Sequence, residues 1–225
     1  MTSLLDRATG FRNDLIDLRR DLHRHPELAF CETRTAEAAA RAVEALGWRV
    51  RRGVGRTGVV AEIGEGSPLV ALRADMDALP IQEAGTADYR STVDGVMHAC
   101  GHDAHVSMLV GAARLLAEAH RAGDLHGTVR LLFQPSEESS DDEGKSGATR
   151  MIEDGAMEGV DAVFGLHIGA HLELGHAYIS PGPIMAGSDL FTGTVHGRSS
   201  HAGRPHEGID AIVLAAHAVL ACQVG

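Results

Sequence analysis

Four short apolar runs alternate with stretches of helical period along most of the chain, and this alternation limits the fold more than any other feature. The runs are Gly58–Ile63, Leu69–Arg73, Thr128–Phe133 (interrupted only by Arg130) and Asp161–Leu166. Each is too short for an ordinary helix and too apolar for a solvated loop, so each predicts a buried strand. Trp48–Val54 predicts another. Residues 11–24 place Leu15, Leu18 and Leu22 on one helical stripe and end at His25-Pro26, where the residue before proline is driven out of helical backbone. A second helix is predicted from about Thr35 to Leu46, with Gly47 closing it. A third follows Asp103, carries Val106, Leu109, Val110, Ala113, Leu116 and Ala117 at helical spacing, and stops before Gly123. Residues 148–154 predict a fourth. Strands alternating with helices predict an α/β fold: a mainly parallel sheet with helices on both faces. The link Gly64-Glu65-Gly66-Ser67-Pro68 is rich in turn formers, so the runs on either side of it are expected to pair as a hairpin.

The end of the chain reads differently. Gly182-Pro183-Ile184-Met185-Ala186-Gly187 has the composition of a linker. Beyond it come one strand-like stretch, Leu190–Gly197, and one helical run, Ile209–Gln223. One strand and one helix cannot enclose a core. Residues 1–186 are therefore expected to form one domain, and residues 187–225 the incomplete start of a second.

Charge narrows the partners. Twenty Lys and Arg against 31 Asp and Glu give a net charge of -11, the wrong sign for a nucleic-acid face or for docking on anionic lipid. No stretch approaches the ~20 apolar residues needed to span a bilayer, and the first twenty residues lack the apolar region of a secretory signal. Three widely separated cysteines, Cys31, Cys100 and Cys222, do not make a disulfide framework. A soluble cytoplasmic protein is expected, with Cys100 available for chemistry.

That chemistry is suggested by Met97-His98-Ala99-Cys100-Gly101-His102-Asp103. A thiol and an imidazole two residues apart, on a turn just before a helix, can point two metal donors into one pocket. Asp75 and Asp77 follow one predicted strand, Glu137 and Glu138 another, and His167 a third. Open α/β sheets bind ligands outside the carboxyl ends of their strands, so these groups could converge. Cys100, His102, Glu138 and His167 then form a mixed sulfur, nitrogen and oxygen donor set. Such a set suits zinc, and manganese, cobalt or nickel with less selectivity. Two ions ~3.5–4 Å apart would need a bridging thiolate or water. A helix start and a cation both lower a thiol pKa, which favours Cys100 as a thiolate. Of the adjacent Glu137 and Glu138, one can bind metal while the other takes a proton from the water that the metal activates. Hydrolysis of an amide or similar acyl bond is the reaction class. Taken singly, each residue also has a plainer reading: a buried thiol, solvated loop carboxylates, turn caps, a core histidine. A further reading makes Cys100 a covalent nucleophile with His102 as its base.

The runs Leu72-Arg73-Ala74-Asp75-Met76-Asp77-Ala78-Leu79-Pro80, Met97–Asp103, Phe133-Gln134-Pro135-Ser136-Glu137-Glu138 and Gly165-Leu166-His167 resemble the dinuclear-metal amidohydrolases. These are the aminoacylase and carboxypeptidase-like metallopeptidases. The branch of hippurate hydrolases, N-acyl-amino-acid amidohydrolases and auxin-conjugate hydrolases is the most similar. The resemblance implies Cys100, His102, Glu138 and His167 as ligands to two divalent ions, Glu137 as general base, and Asp75 as an aspartate that orients the metal-site chemistry. It implies that residues 187–225 begin an inserted ferredoxin-like α+β domain that makes a homodimer. It also implies that His201, within Ser200-His201-Ala202, reaches the partner subunit's site and stabilises the oxyanion. The substrate implied is a small N-acyl amino acid. Members of the family continue through further elements and a last metal-binding histidine, so the chain is expected to be a C-terminally truncated form. An inactive metal-binding remnant is the alternative to an active hydrolase.

Overall fold

The computed structural model describes residues 3–185, 187 and 191–223. The chain divides into two units, Met1–Glu173 and Leu174–Gly225. Ala186, where the expected domain boundary falls, lies outside the described residues.

The first unit opens with α1 (Leu4–Gly10), which sequence periodicity did not reveal. Its signal is the capping box at Ser3 and Asp6, each side chain satisfying the other's backbone N–H. Next come α2 (Arg12–Arg24), ending where Pro26 requires, and α3 (Thr33–Glu44), starting two residues earlier than predicted. The first turn of α3 is capped by Glu27, whose carboxylate accepts the Arg34 and Thr35 N–H groups at 3.0 and 2.8 Å. Strands β1 (Arg49–Val54), β2 (Gly58–Glu65) and β3 (Leu69–Asp75) follow, then α4 (His102–Ala122), β4 (Gly127–Gln134), α5 (Gly147–Glu153) and β5 (Ala162–Gly165).

The five strands form one sheet in the order β1-β2-β4-β3-β5. The β4–β3 and β3–β5 ladders are parallel, and β2 is antiparallel to both β1 and β4. Four strands therefore run the same way and β2 opposes them. The expected hairpin between Gly58–Ile63 and Leu69–Arg73 does not form. β4 inserts between them, pairing Ile63 with Val129 on one side and Val70 with Val129 on the other. The link 64–68 is wide enough to admit it: the Thr128 N–H and hydroxyl donate to the carbonyls of Pro68 and Gly66 at 2.9 and 2.8 Å. β4 lies at the centre of the sheet, where both of its faces are covered and Val129, Leu131, Leu132 and Phe133 are buried.

Side chains alternate across the sheet. Val59, Ala61, Val129, Leu131 and Phe133 face α2, α3 and α4 in the main core. Val60, Ala71 and Leu132 face the other way, onto Met151 of α5 and Ala156. Helices thus cover both faces, as predicted. Trp48 ties α4 to the start of β1 by donating its indole N–H to the Ala113 carbonyl at 3.2 Å.

In the second unit, α6 (Ala211–Cys222) is capped by Asp210, which accepts from the N–H groups of Ile212 and Val213. A single bridge joins Arg198 and Ile209, and a short 3-10 turn spans Pro205–Glu207. Leu190 lies outside the described residues, and Phe191–Gly197 is not a strand. Its apolar alternation has no neighbouring ladder among the described residues beyond that one bridge.

Candidate metal centre

Because β3, β4 and β5 are parallel, their carboxyl ends open on one edge of the sheet. Asp75 ends β3 with Asp77 just beyond; Glu137 and Glu138 follow β4; His167 follows β5. The first turn of α4 supplies His102, preceded by Gly101 at φ +83°. A Cβ at Gly101 would be strained in this left-handed backbone and would collide with the Ile168 side chain. Glycine between Cys100 and His102 therefore lets the segment after β5 close against the turn.

The predicted donors meet there. One ligating atom each from Cys100, His102 and Glu138 lie within 4.8 Å of one another. The His167 Nε2 is 3.9 Å from the Cys100 sulfur. His102 is fully buried, and its Nδ1 faces Asp77 Oδ1 at 3.2 Å. Its Nε2 is buried and, among the described residues, has no hydrogen-bond partner. Around that nitrogen stand Asp75 Oδ2 at 3.6 Å, Glu138 Oε1 at 3.8 Å and Glu137 Oε2 at 4.0 Å. A buried imidazole nitrogen without a partner, ringed by acceptors and a thiol, is chemically unsatisfied. A divalent cation satisfies it, and the donor set fits one.

The electrostatics agree. Burial opposes the charged form of His102, but Asp77, Asp75 and Glu138 outweigh it and raise its pKa. Burial, together with Glu138 and Asp75, raises the Glu137 pKa above the usual carboxylate range. Burial and the carboxylates of Glu138, Glu137 and Asp75 push the Cys100 thiol up to about 12. The helix start alone therefore does not depress it: Cys100 precedes α4 by two residues, and burial, followed by the surrounding carboxylates, outweighs any such effect where no cation is bound. A thiol so disposed is a poor unaided nucleophile, and among the described residues its sulfur is hydrogen-bonded to His167 rather than to His102, so the reading of Cys100 as a nucleophile with His102 as its base gains no support.

The sequence singled out both supporting carboxylates, Asp75 with an orienting role and Asp77 without one, and overlooked His105. Asp75, expected to orient the site, contacts His105 Nδ1 at 2.6 Å and Arg73 at 2.7 Å. Asp77 is the aspartate facing the His102 Nδ1, and it also accepts the Glu138 N–H at 2.9 Å. His105 Nε2 accepts the Ile168 N–H at 3.0 Å, next to His167. The one available signal for His105 was its place a helical turn after His102. His201 lies exposed in the second unit, its Nδ1 accepting the Gly203 N–H at 3.0 Å.

The profile of peptidase family M20/M25/M40 matches residues 71–223. An IAA-amino acid hydrolase of Arabidopsis thaliana is 45% identical over 93% of this chain and 46% of its own length. An N-acetyl-L-cysteine deacetylase of Bacillus subtilis is 44% identical over 93% of this chain and 49% of its own. The chain thus spans about half the length of these curated relatives. Among solved structures, a Bacillus subtilis protein described as a dinuclear metal binding peptidase of the M20 family superposes with a TM-score of 0.67 at 44% identity, covering 73% of this chain and 45% of the other. A putative aminohydrolase from methicillin-resistant Staphylococcus aureus gives 0.81 at 35% identity, over 98% of this chain and 58% of its own.

Proposed function

The chain belongs to peptidase family M20/M25/M40, and we propose that it carries the metal-binding and proton-transferring residues of a hydrolase that cleaves the amide bond of N-acyl amino acids. The observation behind this reading is the unpartnered Nε2 of His102, with Glu137 and Glu138 both within 4.0 Å of it. Cys100, His102, Glu138 and His167 would hold one or two divalent ions, with zinc, manganese, cobalt and nickel the candidates. When bound, such an ion polarises a carbonyl and lowers the pKa of water toward ~7.

Every other step belongs to side chains of this chain. Glu137 is the base. Its raised pKa moves it toward the range in which a carboxylate both takes and returns a proton near neutrality. It is partly exposed, so water reaches it. It removes a proton from the attacking water and delivers that proton to the departing amine nitrogen. Asp77 keeps the His102 proton on Nδ1 and leaves Nε2 as a donor atom. Asp75 and His105 hold the segment carrying His167. In this reading His201 serves the oxyanion of a neighbouring copy, within a homodimer made by the domain that residues 187–225 begin.

The names of two relatives, an IAA-amino acid hydrolase and an N-acetyl-L-cysteine deacetylase, support an acylated amino acid as substrate. Hippurate is a convenient representative of the class. Three unpaired cysteines support a reducing, cytoplasmic setting, and no described helix is long and apolar enough to cross a membrane. Incubating the metal-loaded protein with hippurate and N-acetyl amino acids, and following amine release, tests the proposal. Release that disappears in Glu137→Gln supports it. Stoichiometric metal with no amide hydrolysis, in a chain extended to the length of the relatives, would reject it.

A further inference from the structure

Glu32 is fully buried, and among the described residues no cation pairs with it. Its Oε1 accepts the Phe30 N–H at 2.9 Å and the Ser136 N–H at 2.8 Å; its Oε2 accepts the Thr57 hydroxyl. It occupies the N-cap position of α3, yet its side chain makes no capping bond. Glu27 does that work. The Glu32 carboxylate is instead directed to Ser136, 104 residues away in the chain and immediately before Glu137.

Ser136 needs holding. It is fully buried and has φ +43°, a left-handed conformation that non-glycine residues seldom adopt without support from their surroundings. Its hydroxyl donates to the Ser139 carbonyl at 2.8 Å, and its own carbonyl accepts the Gly147 N–H at 2.9 Å. On the far side of Glu137, Asp77 accepts the Glu138 N–H at 2.9 Å. The segment bearing both glutamates is therefore gripped at one amide by Glu32 and at another by Asp77. An uncompensated carboxylate is expensive to bury, and an apolar residue would serve the core better. Three converging donors explain the carboxylate, and the one among them that belongs to the site's own segment is Ser136.

We propose that Glu32 is a positioning residue that aims Glu137 and Glu138 by fixing the Ser136 amide. This rests on the roles given to those glutamates above. Amide hydrogen exchange over residues 134–140 tests the positioning itself. Metal-loaded kcat and KM on an N-acetyl amino acid test its consequence. The variants are Glu32→Leu, Glu32→Asp and Glu32→Gln, with Glu137→Gln as the benchmark. Asp falls short of Ser136 and Leu offers no acceptor. Exchange in both should quicken about tenfold, as expected for one lost hydrogen bond, while α4 keeps its protection. Their kcat should fall up to about 100-fold, as for a small misplacement of a reacting group, with KM within about twofold. Gln should restore both readouts, because its carbonyl can serve both amides while its NH2 donates to the Thr57 hydroxyl. If Leu fails to fold, Asp against Gln carries the comparison. Wild-type exchange at 134–140 in Asp, or a wild-type kcat in a folded Asp or Leu variant, would overturn the proposal. Normal turnover in Glu137→Gln would instead overturn the functional reading, and the exchange data would still decide what Glu32 holds.

Discussion

Asp77 meets His102 at 3.2 Å, Oδ1 against Nδ1, and with its other oxygen takes the Glu138 N–H at 2.9 Å. One buried carboxylate thus orients two proposed ligands that come from different elements, the first turn of α4 and the segment after β4. Burial raises its pKa, but the His102 bond and the backbone N–H groups of Glu138 and Glu137 outweigh that and hold it below the usual range. It therefore stays ionised and acceptor-only, as the arrangement requires.

Asp77→Asn should lower metal affinity by about 10- to 100-fold, the usual effect of removing the carboxylate behind a ligating histidine. The amide can keep one of the two bonds but not the charge. Competition against a chromophoric chelator measures it. Unchanged affinity in a folded variant would show that Asp77 supports the backbone and nothing more.

Metal uptake should release protons. The Cys100 thiol, pushed up to about 12, is fully protonated at neutral pH without a cation and must ionise to bind one. Affinity should accordingly rise with pH across the range below that value. In weakly buffered solution Cys100→Ser should release about one proton fewer per chain than wild type. Equal release from both would exclude Cys100 as a thiolate ligand.

The strands and long helices were legible because their signals are local: apolar runs, helical period, Pro26, Gly47 and Gly123. Cys100-Gly101-His102 was legible for the same reason. The insertion of β4 between β2 and β3 was not, since a five-residue link says nothing about whether its two arms touch. Nor were the grips on the site. Asp77 and Glu32 act on backbone N–H groups 61 and 104 residues away, and any residue but proline can supply such a donor. The left-handed backbone at Ser136 has no glycine to announce it. The residues and the family resemblance both pointed to the same ligand candidates, and the resemblance also to Asp75, which stands 3.6 Å from the His102 Nε2. Neither assigned a role to Asp77, which faces the His102 Nδ1.

Behind the site, His23 lies buried between Asp103, 2.7 Å from its Nδ1, and Glu83, 3.3 Å from its Nε2. The Asp103 bond is the largest influence, and despite burial the His23 pKa is raised above 6.5. The native state therefore binds this proton more tightly than the unfolded chain. The resulting stability is fully present below pH 6.5 and is lost as pH rises through the folded value. His23→Ala should then cost more in acid than in base, about 1–3 kcal/mol at pH 5.5 for a stranded buried acceptor. The cost is moderated because Arg19 still reaches Asp103 at 2.9 Å. Urea unfolding at pH 5.5 and 8.5 measures both. An equal loss at the two values would mean that His23 contributes packing and not charge.

Asp75, His102 and His105 also bring ligating atoms within 4.8 Å of one another, which raises the question of which triplet takes a cation. His105 answers it through its two nitrogens. Nε2 accepts the Ile168 N–H at 3.0 Å, so the ring proton sits on Nδ1 and is donated to Asp75 at 2.6 Å. Neither nitrogen is free, whereas among the described residues the Nε2 of His102 has no hydrogen-bond partner. His102→Ala should therefore abolish stoichiometric metal binding at its site. His105→Ala should weaken it by about 10- to 100-fold, through the loosened segment around Ile168 and His167. Metal content after dialysis against micromolar free zinc separates the two cases. If His105→Ala emptied the protein as completely as His102→Ala, His105 would have to be counted a direct ligand, and its bond to the Ile168 amide would have to give way when the cation enters.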